Sequence, residues 1–240
     1  DLVNDAIGFI EKREKEAKEF EKFRESKMGS RPLSGMHTGF TDIDIITDGL
    51  PYGISLVGAR PEDGLTDFGL NIANKISRKH KVAYISPDLP AKVLVKRLMS
   101  CEATVNIRNM NEGFLSEADF PKLTIAAHRF SFGDNLTFYD KKGINPWEFS
   151  EACKYMQKEH GTELVILDRF QGLFPRGESS SGESYYWKAR EIAGLMHDLV
   201  SESGLALMLL SEVKKKKKGE RITTAHLRDF GVFEYDARPI

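Results

Sequence analysis

Gly58-Ala59-Arg60-Pro61-Glu62-Asp63-Gly64-Leu65-Thr66, followed by Asp67-Phe68-Gly69-Leu70-Asn71-Ile72-Ala73, is the stretch on which the fold turns. Before it runs a short apolar segment, Ile54-Ser55-Leu56-Val57, and after it an amphipathic one. Strand, tight loop and helix in that order is the setting of a phosphate-binding loop, where backbone N–H groups and a helix N-terminus converge on an anion. Gly64 permits close approach of a ligand, and the Thr66 hydroxyl is placed to reach a metal ion. The pattern G-x-x-x-x-G-K-S/T asks for lysine at position 65, and the chain has Leu65. Acidic Glu62, Asp63 and Asp67 surround the place of the phosphates and make an anion less welcome. The loop has the shape of a nucleotide site without all of its chemistry.

Outward from the loop, apolar strand-like runs alternate with helical patterns. Val82–Ser86, Leu136–Tyr139, Leu164–Asp168 and Leu205–Leu210 read as strands, alongside 54–58. Helices are expected over Phe40–Ile46 (capped by Thr41), Thr66–His80, Pro90–Cys101, two pieces within 104–132, Pro146–Glu159 and 185–203. Strands apolar on both faces, separated by helices, predict a mostly parallel sheet covered on both sides. Residues 1–30 read as one long charged helix with a narrow apolar stripe (Leu2, Val3, Ala6, Ile7, Ile10, then Ala17, Phe20, Phe23). That stripe either docks on another surface, such as a neighbouring subunit, or lies along its own solvated helix. Gly29-Ser30-Arg31-Pro32 ends the helix, dividing the chain into a linker segment, 1–32, and a globular domain, 33–240.

Composition sets the outer bounds. The chain has 240 residues, 40% hydrophobic and 30% charged, with a net charge of −1. No global charge draws it to nucleic acid or membrane, so such contacts must come from local patches. The two cysteines, Cys101 and Cys153, read as buried free thiols of a reducing compartment. No apolar run reaches the ~20 residues of a membrane span and no signal peptide is visible, which points to the cytoplasm. A start at Asp1 rather than Met suggests a removed upstream region. The histidines and cysteines show no metal-ligand spacing.

Several separated stations, taken together, resemble the motor domain of DnaB-type replicative DNA helicases. They are Thr38-Gly39-Phe40-Thr41-Asp42-Ile43-Asp44, Gly49-Leu50-Pro51-Tyr52-Gly53, Ala59-Arg60-Pro61, Leu70-Asn71-Ile72-Ala73, Arg97-Leu98-Met99-Ser100 and Leu167-Asp168-Arg169-Phe170-Gln171. The last is Leu227 to Ala237, similar to the family's leucine-arginine-glutamate-serine-glycine stretch. The resemblance implies a RecA-like fold, preceded here by the linker helix, that assembles into a hexameric ring around single-stranded DNA with ATP between subunits. The family's motor continues with further strands, so an end at Ile240 is read as a truncation or a fragment.

Carried over residue by residue, the resemblance makes 59–67 (Ala59, Arg60, Pro61, Glu62, Asp63, Gly64, Leu65, Thr66, Asp67) the nucleotide loop. Thr66 and Asp168 match the family's magnesium-holding hydroxyl and carboxylate. Asp88 stands at the glutamate that polarises the attacking water, one methylene shorter; a displacement of ~1 Å in a catalytic group costs up to ~100-fold. Glu212 stands at a γ-phosphate-sensing glutamine, and an ionised carboxylate only accepts hydrogen bonds. Arg221 aligns with the arginine finger, and Glu220 replaces a neighbouring basic residue. Four phosphate- or water-facing positions, counting Leu65, thus depart from the pattern in the direction of lost hydrolysis.

The loops that line the family's DNA channel correspond to 174–188 and 213–221. The first holds Arg176 and Tyr185-Tyr186-Trp187-Lys188, whose aromatics either stack on bases or begin a helix packed on the sheet. The second holds the run Lys214 to Lys218 (Lys214, Lys215 and Lys216 foremost), either a solvated loop or a phosphate-backbone contact. Three functions are compatible with this sequence. The first is a replication paralogue with lost or weak hydrolysis, acting as ring component, regulator or DNA-binding partner, alone or in a mixed ring with an active helicase. The second is an active, divergent 5'-3' helicase using another cation such as Arg60. The third is a RecA-fold scaffold that binds proteins alone; replication proteins are among the expected partners. Magnesium with ATP is the expected cofactor if nucleotide binding is retained, and none otherwise.

Overall fold

The computed structural model describes residues 33–131, 135–173, 183–213, the isolated positions Lys15 and Lys18, and the backbone of Arg238–Pro239; for 183–186 only the backbone is described. The chain divides into two compact units, 1–50 and 51–240.

In the first unit, helix α1 (Thr41–Thr47) is organised by Asp44. Its carboxylate accepts from the Thr38 backbone N–H (2.9 Å) and the Thr38 hydroxyl (2.7 Å). Thr41, expected as the cap, is the first helical residue; Phe40 occupies the cap position and makes no side-chain cap bond. Asp44 ties the segment before the helix to its first turn, and the Thr38 hydroxyl accepts from the Phe40 N–H (3.2 Å). An antiparallel bridge joins Met36 to Leu50. The expected helix over 1–30 lies outside the described residues, Lys15 and Lys18 apart, which are helical and exposed.

The second unit is built on β1 (Ile54–Ala59), β2 (Val82–Ile85), β3 (Leu136–Tyr139), β4 (Leu164–Asp168), β5 (Ala206–Glu212) and β6 (Arg238–Pro239). They form one sheet in the order β3-β2-β4-β5-β1-β6, with every pairing parallel. The helices between them are α2 (Leu65–Ile76), α3 (Ala91–Ala103), α4 (Ile107–Glu112), α5 (Asp119–Ser131), α6 (Pro146–His160) and α7 (Glu183–Ser203). The parallel α/β sheet expected from the alternating pattern is therefore present. The two-residue β6, beside Ser55 and Leu56, carries no sequence signal and was not expected. Helix α2 stops at Ile76 rather than His80, since the Ser77 hydroxyl turns back to the Asn74 carbonyl and the chain enters a turn.

One face of the sheet offers Ile54, Leu56, Ala83, Ile85, Val165, Leu167, Leu207 and Leu209. These pack with Phe149, Cys153 and Met156 of α6 and Ile192, Met196 and Leu199 of α7. Strand residues on the opposite register (Tyr84, Leu210) meet α2, where the side-chain-free Gly69 allows the closest approach. A Cβ there would lie 2.5 Å from Leu210 Cδ1 and 3.2 Å from the Tyr84 hydroxyl oxygen. Glu102 fastens α3 to its neighbours through Asn74 of α2, Arg78, and Arg129 of α5. Burial pushes its pKa up, but the hydrogen bonds from Asn74 and Arg129 outweigh that and hold it below the usual range. Both cysteines are free, and Cys153 is buried as expected. Cys101 is exposed, because it falls on the outer flank of α3 while Leu94 and Leu98 take the inner one.

Helix α6 opens on a full capping box: the Asn145 side chain accepts from the Glu148 N–H (2.9 Å), and the Glu148 carboxylate accepts from the Asn145 N–H (3.3 Å). Asn145→Ala should cost about 1 kcal/mol and lower Tm by about 2–4 °C, measured by thermal unfolding. Among the described residues no helix is long and apolar enough to cross a membrane.

Candidate nucleotide cleft at the carboxyl edge of the sheet

In a parallel sheet all the carboxyl ends lie along one edge, and ligand crevices open there. In register, Ala59 of β1 pairs with Glu212 of β5, Leu210 with Asp168 of β4, and Leu167 with Ile85 of β2. The chain segments leaving β1, β2, β4 and β5 therefore meet around one cleft of about 280 Å³. It is lined by Arg60, Glu62, Gly64, Leu65, Thr66 and Asp67 from the loop, and by Asp88, Leu89, Arg97, Asp168, Arg169 and Glu212. The loop takes the shape expected of it. Gly64 precedes α2 with φ of 84°, a left-handed conformation that glycine adopts without strain. Leu65 begins the helix and is only 8% exposed, so it contributes packing where a cation was looked for.

Asp168 ends β4 and is almost fully buried. Its carboxylate accepts from the Tyr84 hydroxyl at 2.7 Å and from the Thr66 hydroxyl. Burial pushes its pKa up, against the opposing hydrogen bonds of Tyr84 and Thr66 and the nearby Arg169 charge. Burial likewise pushes the Tyr84 phenol up, reinforced by the Asp168 charge, so this residue serves only as a neutral donor. Asp168 and Arg169 are joined by a cis peptide bond.

Past Asp168 the cleft is crossed by Arg169. Its Nε donates to Asp88 Oδ2 at 3.1 Å, and its Nη1 donates to Glu212 Oε1. Arg97 reaches from α3 to Asp67 at 3.1 Å. The Gln171 amide donates to the Ser211 hydroxyl (2.7 Å) and the Glu212 carbonyl (3.3 Å), tying the 3-10 turn Phe170–Leu173 to the end of β5.

Of the residues singled out in the sequence, Arg60, Glu62, Gly64, Leu65, Thr66, Asp67, Asp88, Asp168 and Glu212 converge on this cleft. Ala59, Pro61 and Asp63 belong to the same strand and turn without lining it. Arg221, Glu220, Arg176 and Lys214 to Lys218 lie outside the described residues, and Tyr185 is placed only as backbone of α7. Lys188 is half-buried on α7. Trp187 beside it is 55% exposed under Arg190, whose guanidinium carbon is 5.7 Å from the ring centroid, and so is not packed into the sheet. Tyr84, Arg97 and Arg169 escaped the sequence reading as site residues. The only signal for Arg169 was its place immediately after Asp168.

Whether these residues suit magnesium and a nucleoside triphosphate divides along the cleft. Thr66 and Asp168, hydrogen-bonded together under the loop, are the donor types a magnesium ion with bound water takes. The outer end does not fit. Three arginines face five carboxylates in the lining, Leu65 brings no charge, and Asp88 and Glu212 already share the Arg169 guanidinium.

A parallel α/β sheet with a phosphate-type loop after its first strand and an aspartate ending a central strand defines a RecA-like domain. The family of DnaB-like helicase C-terminal domains matches residues 35–240, and the chain belongs to it. It is 29% identical over 211 residues to the replicative DNA helicase DnaC of Bacillus subtilis (strain 168), covering 85% of this chain and 46% of that protein. The replicative DNA helicase DnaB of Geobacillus stearothermophilus is likewise 29% identical, over 213 residues, covering 85% and 46%. The chain thus spans about half the length of these curated relatives. A solved ATPase domain superposes with a TM-score of 0.76 at 23% identity, over 95% of this chain and 82% of that one. A DnaB-like replicative helicase, solved in a study of its interactions with primase, superposes with the same TM-score at 24% identity, over 87% and 51%.

Proposed function

We propose that this chain is a DnaB-like motor domain acting in DNA replication whose ATP hydrolysis is lost or weak, serving as ring component, regulator or DNA-binding partner. The observation that carries this is the outer end of the cleft. There the positions of the water-polarising and phosphate-sensing side chains are Asp88 and Glu212, and both are bound to Arg169. A γ-phosphate arriving there meets two carboxylates and must take Arg169 from them, with no lysine at position 65 to compensate. The surviving elements, the loop, Thr66 and Asp168, are consistent with weak binding of nucleotide with magnesium. On this reading the chain assembles with copies of itself or with an active helicase in a hexameric ring. Single-stranded DNA is reached through Arg176, Tyr185, Lys188 and the Lys214 to Lys216 run.

An active divergent helicase is the second reading, favoured by the arginines that line the cleft (Arg60, Arg97, Arg169). Titration calorimetry of the wild type with Mg-ATP analogue separates the two. The proposal expects no measurable heat or binding weaker than about 100 μM, equivalent to less than about 5.5 kcal/mol. Micromolar binding would favour the active helicase.

A further inference from the structure

Arg169 follows β4, Asp88 lies just beyond β2, and Glu212 ends β5. Those strands are neighbours in the order β2-β4-β5, so one guanidinium ties together the carboxyl ends of three adjacent strands. The same three residues also line a second cavity of about 500 Å³, with Pro87, Ile144 and Gln171. Arg169 therefore contributes to the lining of both cavities. Asp88, Arg169 and Glu212 are 33%, 36% and 38% exposed, so solvent screens the cluster without separating its charges. Without Arg169, two carboxylates that now share one guanidinium would face each other across it, close to buried Asp168.

We propose that Arg169 is a built-in counter-cation, which neutralises Asp88 and Glu212 and fixes the ends of β2, β4 and β5 with no ligand bound. It rests on the reading of this cleft as one that does not turn over ATP, and adds what the cleft does instead. The guanidinium holds the domain in one arrangement that does not depend on nucleotide or metal. Arg169 is in this sense a positioning residue, acting through two carboxylates. A divalent ion that takes the place of Arg169 between the two carboxylates performs the same neutralisation.

Thermal unfolding of the full chain at low salt tests this, with and without millimolar Mn²⁺. Arg169→Gln is expected to lower Tm by about 3–6 °C. Mn²⁺ should restore the lost stability in Arg169→Gln and leave the wild type unchanged. Adding Asp88→Asn and Glu212→Gln to Arg169→Gln should restore stability too and abolish the Mn²⁺ response. An unaltered Tm in Arg169→Gln would overturn the proposal, as would a deficit that neither Mn²⁺ nor the neutral pair repairs. If Arg169→Gln does not fold, a folded triple variant supports the proposal and an unfolded one overturns it. Phosphate release from Mg-ATP by the wild type would instead count against the non-hydrolysing reading, leaving the Mn²⁺ comparison to decide the role of Arg169.

Discussion

A chain carrying both Leu65→Lys and Glu212→Gln is expected to bind Mg-ATP about 100-fold more tightly than the wild type, or better. The first change places an ammonium at the start of α2, among loop residues that line the cleft, where a helix N-terminus favours an anion. The second removes a carboxylate from the end of β5, supplies an amide donor, and releases Arg169 from one of its two partners. Each new charge-assisted hydrogen bond contributes about 1.5–3 kcal/mol, and tenfold in affinity corresponds to about 1.4 kcal/mol. Either change alone should fall well short of the pair, since Leu65→Lys leaves Arg169 engaged and Glu212→Gln leaves the loop without its cation. Titration calorimetry on the two single variants and the pair measures this. Equal, weak binding in all of them would mean that the acidic loop residues, Glu62, Asp63 and Asp67, govern exclusion instead.

Tyr84→Phe is expected to destabilise the domain by about 2 kcal/mol, a fall in Tm of about 4–8 °C. The lost hydroxyl donates at 2.7 Å to a carboxylate that has almost no contact with water, so nothing replaces it. The effect carries a pH signature. Burial raises the folded-state pKa of Asp168, so between its ordinary and its raised value the folded chain keeps a proton that the unfolded chain has released. The stability linked to this group is complete below that window and is lost as pH rises through it. Removing the Tyr84 donor favours the protonated form further, which extends the window upward and steepens the loss toward neutral pH. Asp168→Asn should flatten that part of the profile in both backgrounds. Chemical denaturation of the four chains across mildly acidic to neutral pH provides the comparison.

The sheet was legible because its central strands are apolar runs buried along their length. Leu164-Val165-Ile166-Leu167 has no polar residue to assign to a solvent face, and it is buried throughout. The loop was legible from Gly64, Thr66 and the strand and helix around them. The inner network was not. Tyr84 sits within an apolar run and reads as a core aromatic, and its partner Asp168 is 84 positions away. Arg169 and Asp88 are 81 positions apart, and no local pattern announces that pairing. Thr41 reads as a cap because a threonine at a helix start usually serves as one, whereas the helix begins one residue earlier than that, with Phe40 at the cap position and no side-chain cap bond. Cys101 was placed in the core because cysteine commonly is, although the helical phase of α3 turns it outward. Local patterns thus located the edge of the sheet where the cleft opens, whereas the long-range charge pairs that line it left no local trace.

The most direct test of the account is phosphate release from Mg-ATP by the wild-type chain, with and without single-stranded DNA, beside Asp168→Ala. A wild-type rate indistinguishable from that of Asp168→Ala, with DNA making no difference, is the predicted result. DNA-stimulated release that disappears in Asp168→Ala would contradict it, and would mean that a working ATPase operates despite Leu65 and the Asp88–Arg169–Glu212 cluster.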